Sequence, residues 1–292
     1  MNFFSISDIE NLTLIKAHTL RIWEQRYGLC GGKRRDSMHR YYDGEDLKQI
    51  LRIAWLYNNG YKISHIAYLT PEEIKSKALG LTESAGRYDI YLNRLMESSI
   101  DLDTRAFEEN FNEAITTFGF ENTIIQIGFP FLKKLGMFWL TGNVIPAQEH
   151  FASAIITHKI CIAIDQLPPV SSASKKRRVL LFTPVGEYHE IPLLFMKYLL
   201  KKNGVPHTYM GRALSNEVLA GYCYHHPITE FYFHLITNLT HSDVDTYVHQ
   251  LANTFIGKKI YCSGYSCQAI NDAPPNVQVL QSNEELMEFA SY

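Results

Sequence analysis

From Arg178 onward the chain alternates between apolar runs of strand length and stretches of helical period, and this alternation restricts its fold more than any other feature. RVLLFTP (178–184) is a continuous apolar run, and EIPLLFMKYLLKKNG (190–204) has helical period and stops at Gly204. HTYMG (207–211), a helix around 215–224, EFYFHLIT (230–237), a helix around 242–256, KKIYCSG (258–264), VQVLQ (277–281) and a helix from about 283 to 290 complete the series. Strands that are apolar on both faces must be covered on both faces, so the series predicts an α/β doubly wound parallel sheet of Rossmann-like type. Ligands of such sheets sit beyond the carboxyl ends of the strands, which singles out the loops 184–190, 211–215 and 263–268.

At 292 residues the chain is too long for one ordinary core, and its composition changes twice. LPPVSSASKKRR (Leu167 to Arg178) joins a proline pair, a serine cluster and a basic run, the composition of a solvated linker. Before it, residues 81–166 carry an excess of acids and read as four helical stretches, about 84–98, 103–117, 121–136 and 145–165, with the short connections of a four-helix bundle. The five cysteines are scattered and form no CxxC pair, against a disulfide framework or a zinc-thiolate site. No window reads as a membrane span and the first residues do not read as a secretory signal, so a cytoplasmic protein is expected.

The first 80 residues are basic, and the excess is concentrated: residues 15–42 hold seven Lys/Arg against two Asp/Glu. SISDIENL (5–12) predicts a short helix with Ile6, Ile9 and Leu12 on one face, and KAHTLRIWEQRYG (16–28) a second with Leu20, Trp23 and Tyr27 turned inward. Two short helices joined by a tight turn, the second basic outside, are a helix-turn-helix. GGKRRDSMHRYY (31–42) then reads as a hairpin wing able to set arginine and tyrosine against phosphates or in a minor groove. Asp43 caps an amphipathic helix that runs to Gly60. The segment 70–86 reads as a semi-flexible hinge with one further short helix.

TLRIWEQRYGL (19–29), RYY with EDL (40–47) and L-x-x-NGYKISHIA (56–67) together resemble the signature of MerR-family regulators over residues 3–75. The resemblance implies an all-α winged helix-turn-helix domain over 1–76 that binds double-stranded promoter DNA. Lys16, His18, Thr19 and Arg21 would meet the major groove and its flanking phosphates, and Arg34, Arg35, Arg40 and Tyr41 the wing contacts. Tyr42 and Trp23 are expected in the core, because large aromatic side chains usually bury.

GMFWLTGNVIPAQEHFASAIITHKI (136–160) resembles the helical cap of cobalamin-binding domains in the light-sensing MerR repressors of carotenoid genes and in methionine synthase. Trp139, nine residues and then Glu149–His150 match its hallmark; there the Trp covers the upper face of the corrin and Glu-His helps to hold the cap. GEYHEIP (186–192) matches three positions of the family's lower-ligand motif: Glu187, Tyr188 and His189, with His189 as the cobalt ligand and Glu187 orienting its other nitrogen. Four positions depart. Pro192 replaces the motif's glycine, His234 a serine beside the cofactor tail, Ser263–Gly264 a Gly-Gly pair, and Leu140 the histidine of the photoreceptors, which argues against light sensing by that route. The resemblance implies a helical cap over 84–166, a cobalamin-binding-like domain over 176–292, cobalamin as the candidate cofactor and self-association as a dimer or tetramer. The expected function is a DNA-binding regulator and not an enzyme. Two alternatives stand beside it: a sensor half that takes another ligand or only mediates oligomerisation, and, more remotely, a corrinoid-dependent enzyme.

Overall fold

In the computed structural model the chain divides into two compact units, Met1–Ile155 and Ile156–Tyr292. The structure describes residues 4–291 apart from 14, 35–39, 59, 81–87, 141–145, 171–176, 237–242 and 271.

The first unit opens with α1 (Ile6–Thr13) and α2 (Ala17–Tyr27). Glu10 closes the turn between them: its carboxylate accepts the Ala17 N–H at 2.8 Å, one of the orphan donors at the start of α2, and pairs with Lys16 at 2.9 Å. α2 stops at Gly28, whose φ of 67° is open to glycine at little cost, with its N–H returned to the Glu24 carbonyl. β1 (Lys33–Arg34) and β2 (Arg40–Tyr41) pair antiparallel as the stem of the wing. Phe4 and Tyr42 exchange two backbone hydrogen bonds and fasten the start of the chain to that stem. α3 (Gly44–Asn58) begins on a reciprocal box in which Asp43 accepts the Asp46 N–H and Asp46 the Asp43 N–H, both at 3.0 Å. Leu47, Ile50, Leu51 and Ala54 are buried on α3, and Trp23 meets Tyr57 edge-on at 4.9 Å.

α4 (Ile63–Ile66) and α5 (Pro71–Gly80) lead to the helical region of α6 (Tyr88–Asp101), α7 (Thr104–Phe118), α8 (Phe120–Thr123), α9 (Phe129–Leu140) and α10 (Pro146–Asp165). A π-helical turn, Ile124–Gly128, joins α8 to α9 just before Pro130, which has no N–H to give the preceding turn. The buried centre is aromatic: Phe107 lies 5.6 Å from Phe131 and 5.8 Å from Phe151. The expected short helix after Thr70 is present as α5. Residues 81–86 of the expected semi-flexible hinge lie outside the described residues; α3 and α6 are bound directly by two ion pairs, Lys48–Asp101 and Arg52–Glu97.

The second unit is a five-stranded parallel sheet in the order β4-β3-β5-β6-β7. Its elements are β3 (Val179–Pro184), α11 (Ile191–Lys202), β4 (His207–Leu214), α12 (Asn216–His225), β5 (Glu230–His234), α13 (Val244–Thr254), β6 (Lys259–Ser263), β7 (Val277–Leu280) and α14 (Asn283–Ser291). Every residue of β3 is buried, as a central strand covered on both faces requires. One face packs Phe182, Phe231 and Phe233 against Val248 and Leu251 of α13, and on the other Phe289 of α14 stacks on Tyr232 at 5.4 Å. β4 outruns its sequence-based limit, because two register irregularities let it follow β3 to Leu214, with Ala213 at a φ of 58°. The strand order reverses between β3 and β5, and a crevice at that point is where such sheets take ligands.

Candidate functional site

The outward stripe of α2 consists of His18, Arg21, Ile22 and Gln25, four exposed side chains at i, i+3, i+4 and i+7. Ile22 and Gln25 were not among the residues expected to meet DNA, although the same spacing places them there. Thr19 is half-buried, and Lys16 is exposed but paired with Glu10. Trp23 and Tyr42 are buried in the core.

Two cations of the wing stem, Lys33 and Arg40, are held by acids. Arg40 pairs with Glu24 of α2 at 2.8 Å, and Lys33 pairs with both Asp43 and Asp46 at the start of α3. The two carboxylates raise the Lys33 ammonium, through hydrogen bonds, above its ordinary range. Glu24, an acid inside the most basic stretch of the chain, is a partner of the wing stem that composition concealed. Tyr41 is half-buried on β2; Arg35 and the Arg34 side chain lie outside the described residues.

At the strand ends of the second unit, the loop after β3 turns on a Glu187 N–H to Pro184 carbonyl bond, and Glu187 itself is wholly buried. One of its carboxylate oxygens accepts the His189 N–H at 2.8 Å and lies 2.6 Å from His189 Nδ1; the other accepts the Ile236 N–H at 2.7 Å from the loop after β5. The Thr183 hydroxyl donates to the Glu187 carbonyl at 2.7 Å and accepts the Ala213 N–H at 3.1 Å. Three strand ends are thereby tied to one loop. A carboxylate on Nδ1 fixes the ring orientation of His189 and turns the Nε2 edge away from Glu187, with the side chain half exposed.

Beneath the crevice runs a second polar chain. Ser263 Oγ lies 2.6 Å from the Tyr232 hydroxyl and 2.8 Å from His234 Nδ1. Burial pushes His234 down to about 4, with Glu187 opposing and His189 adding to that shift. Gly264 has a φ of 104°, and a Cβ there would stand 2.1 Å from the Leu235 carbonyl oxygen, so no other residue fits. Ser263 links Tyr232 and His234 at the ends of β5 and β6. Val185, Tyr188, Ile236 and Tyr265 form an exposed apolar rim around the strand-end loops.

In the first unit Glu149 and His150 sit in the first turn of α10 and pair with each other at 2.9 Å, His150 largely exposed. Trp139 and Leu140 end α9, and their side chains lie outside the described residues. Among the described residues no three His, Cys, Asp or Glu side chains form a group able to hold a metal ion. No helix among them is long and apolar enough to cross a membrane.

Residues 4–73 match the model of the MerR HTH family regulatory protein, and residues 91–163 match the B12 binding domain. The chain is a DNA-binding regulator that carries a MerR-type HTH segment at residues 4–73 and a cobalamin-binding-like helical segment at residues 91–163. It is similar to the HTH-type transcriptional repressor CarA of Myxococcus xanthus, 28% identical over 75% of this chain and 71% of that protein. It is also similar to the repressor CarH of the same organism, 22% identical over 74% of this chain and 73% of that one. The Methanosarcina barkeri monomethylamine corrinoid protein shares the fold with a TM-score of 0.55 at 14% identity, over 70% of this chain and 99% of its own.

Proposed function

We propose that this regulator binds duplex operator DNA as a self-associated assembly, with α2 and the wing as the reading elements, and that its α/β domain holds a corrinoid over the strand-end loops. Residues 1–76 act as the DNA-binding domain, 84–166 as the helical cap and 176–292 as the ligand domain. His18 and Arg21 meet the major groove and its flanking phosphates, with Thr19 and Lys16 at its margin. The observation that carries the ligand reading is the wholly buried Glu187, which holds the His189 ring in one orientation at the switch point of the sheet. A corrinoid would supply a cobalt centre able to take one imidazole nitrogen, and His189 is the residue placed to give it. By resemblance, Trp139 covers the opposite face of the ring system, with Glu149 and His150 holding the cap.

A tail threaded into the sheet fits poorly, because Tyr232 and His234 both hydrogen-bond to Ser263 at the ends of β5 and β6. In this reading any nucleotide tail remains outside the sheet. The same observation favours a second reading, in which the domain serves self-association without a ligand. Equilibrium dialysis of the full chain against adenosylcobalamin, followed by the visible absorption spectrum, separates them. The first reading expects coloured protein, and a shift toward the base-off spectrum with weaker retention in His189→Ala. Colourless wild-type protein would leave the second reading standing.

A further inference from the structure

Two cations of the basic N-terminal segment are turned away from the DNA-reading stripe. Lys48 on α3 is buried; its Nζ donates to both oxygens of Asp101 at 3.0 and 2.9 Å and pairs with Glu45 at 2.7 Å. Burial alone would lower this ammonium, and the two carboxylates more than reverse that. One turn along α3, Arg52 meets Glu97 in a bidentate fork, Nε at 3.0 Å and Nη2 at 2.6 Å, with both side chains mostly covered. Such planar two-bond pairing fixes direction as well as distance. Both acids belong to the last turns of α6. At the start of α3, a Cβ on Gly44 would come within 3.1 Å of the Ile100 side chain on that same turn, so the bare glycine is what lets Ile100 pack against the head of α3.

The same turn of α6 is gripped from a second side. Gln148, almost wholly buried in the first turn of α10, donates to the Ile100 carbonyl at 2.9 Å. That turn of α10 also carries Glu149 and His150. At the other end of the series, Asp43 and Asp46 at the head of α3 hold Lys33 of the wing. A continuous set of polar contacts therefore runs from the first turn of α10, through the end of α6 and along α3, to the wing stem.

We infer that Lys48 and Arg52 are positioning residues for the DNA-binding module, anchoring α3 to the last turns of α6 and so fixing the direction in which α2 presents its reading stripe. A cation already matched by a two-oxygen carboxylate has little charge left to offer a phosphate, so these two contribute to DNA binding through orientation. The inference rests on α2 being the DNA-reading helix, as proposed above, while its central test needs no DNA.

The test uses the full chain carrying one spin label at Gln25 on α2 and another at Glu109 on α7, attached without cysteine chemistry and diluted into unlabelled protein. In wild type the label-to-label distance distribution should be narrow. In Lys48→Met with Arg52→Met, which keep the apolar stems packed, it should widen by about twofold as α2 samples several directions. The exchanged pair Arg52→Glu with Glu97→Arg, alongside intact Lys48, should restore the narrow distribution, which a merely unfolded variant could not do. Binding of the double Met variant to a duplex selected by the wild-type full chain should keep the wild-type dependence on salt. An unchanged distance distribution in the double Met variant would overturn the inference. So would a salt slope lower by about one per cation removed, because both residues would then be phosphate contacts.

Discussion

On the DNA-facing module several charges lie near the surface in opposed pairs, Lys16 with Glu10, Lys33 with Asp43 and Asp46, Arg40 with Glu24. At the strand ends of the α/β domain one carboxylate, Glu187, has no exposure at all and is satisfied by backbone N–H groups and an imidazole. The difference follows from dielectric surroundings. Exposed pairs contribute little to stability but decide where cations stand, and salt weakens them. A buried carboxylate with three donors is costly to disturb and holds a loop rigidly. One region thus places its charge on an adjustable outer face, the other in a fixed strand-end loop.

The strongest way to break this comparison is Glu187→Ala. It removes the acceptor for the His189 and Ile236 N–H groups in a dry site, which should cost about 3 kcal/mol in urea unfolding of the full chain. Glu24→Ala on the DNA module should cost less than about 1 kcal/mol in the same measurement. Equal losses would mean that Glu187 is no more committed to the fold than a surface acid.

A smaller effect sharpens the account of the ligand seat through pH. His234 sits at about 4 in the fold against an ordinary 6.5, so the unfolded chain takes up the proton first as pH falls. Stability contributed by the neutral imidazole is therefore complete above about pH 6.5 and is lost progressively toward pH 4. Between about pH 6.5 and 5 the wild-type chain should lose on the order of 2 kcal/mol more than His234→Asn, which cannot titrate. Parallel pH profiles would show that His234 is solvated and that the space between β5 and β6 is open.

The fold was legible where the local pattern carried it. VLLF (179–182) and FYF (231–233) are apolar without interruption because β3 and β5 are central strands, and the helices between them end at polar caps. The limits of β4 were not legible, since its last residues follow β3 through irregularities that depend on the neighbouring strand. At the ligand seat, Glu187 and His189 are two residues apart and could be read from one motif. Lys48 and Asp101 are separated by 53 positions and Arg52 and Glu97 by 45, so their pairing left no local trace, and in the sequence they resemble ordinary solvated helix charges. Glu24 was hidden for a related reason: its partner Arg40 lies on the wing, across a turn.

The finest distinction concerns which cations of the DNA module touch DNA. Arg21 is exposed on the outward stripe of α2, whereas Arg40 is half-buried and matched by Glu24. A phosphate contact releases counterions on binding, and each lost contact should lower the slope of log affinity against log salt by about one. Arg21→Ala should show that reduction together with a loss of affinity. Arg40→Ala should weaken binding, because the strut between wing and α2 is gone, yet leave the slope within about 0.3 of wild type, since no counterion is released there. Titrations of the full chain against one operator duplex at several salt concentrations compare the two directly. If Arg40→Ala lowers the slope as much as Arg21→Ala does, Arg40 leaves Glu24 for a phosphate when DNA arrives. The opposed pairs would then be a resting arrangement that DNA displaces, and the wing would move on binding.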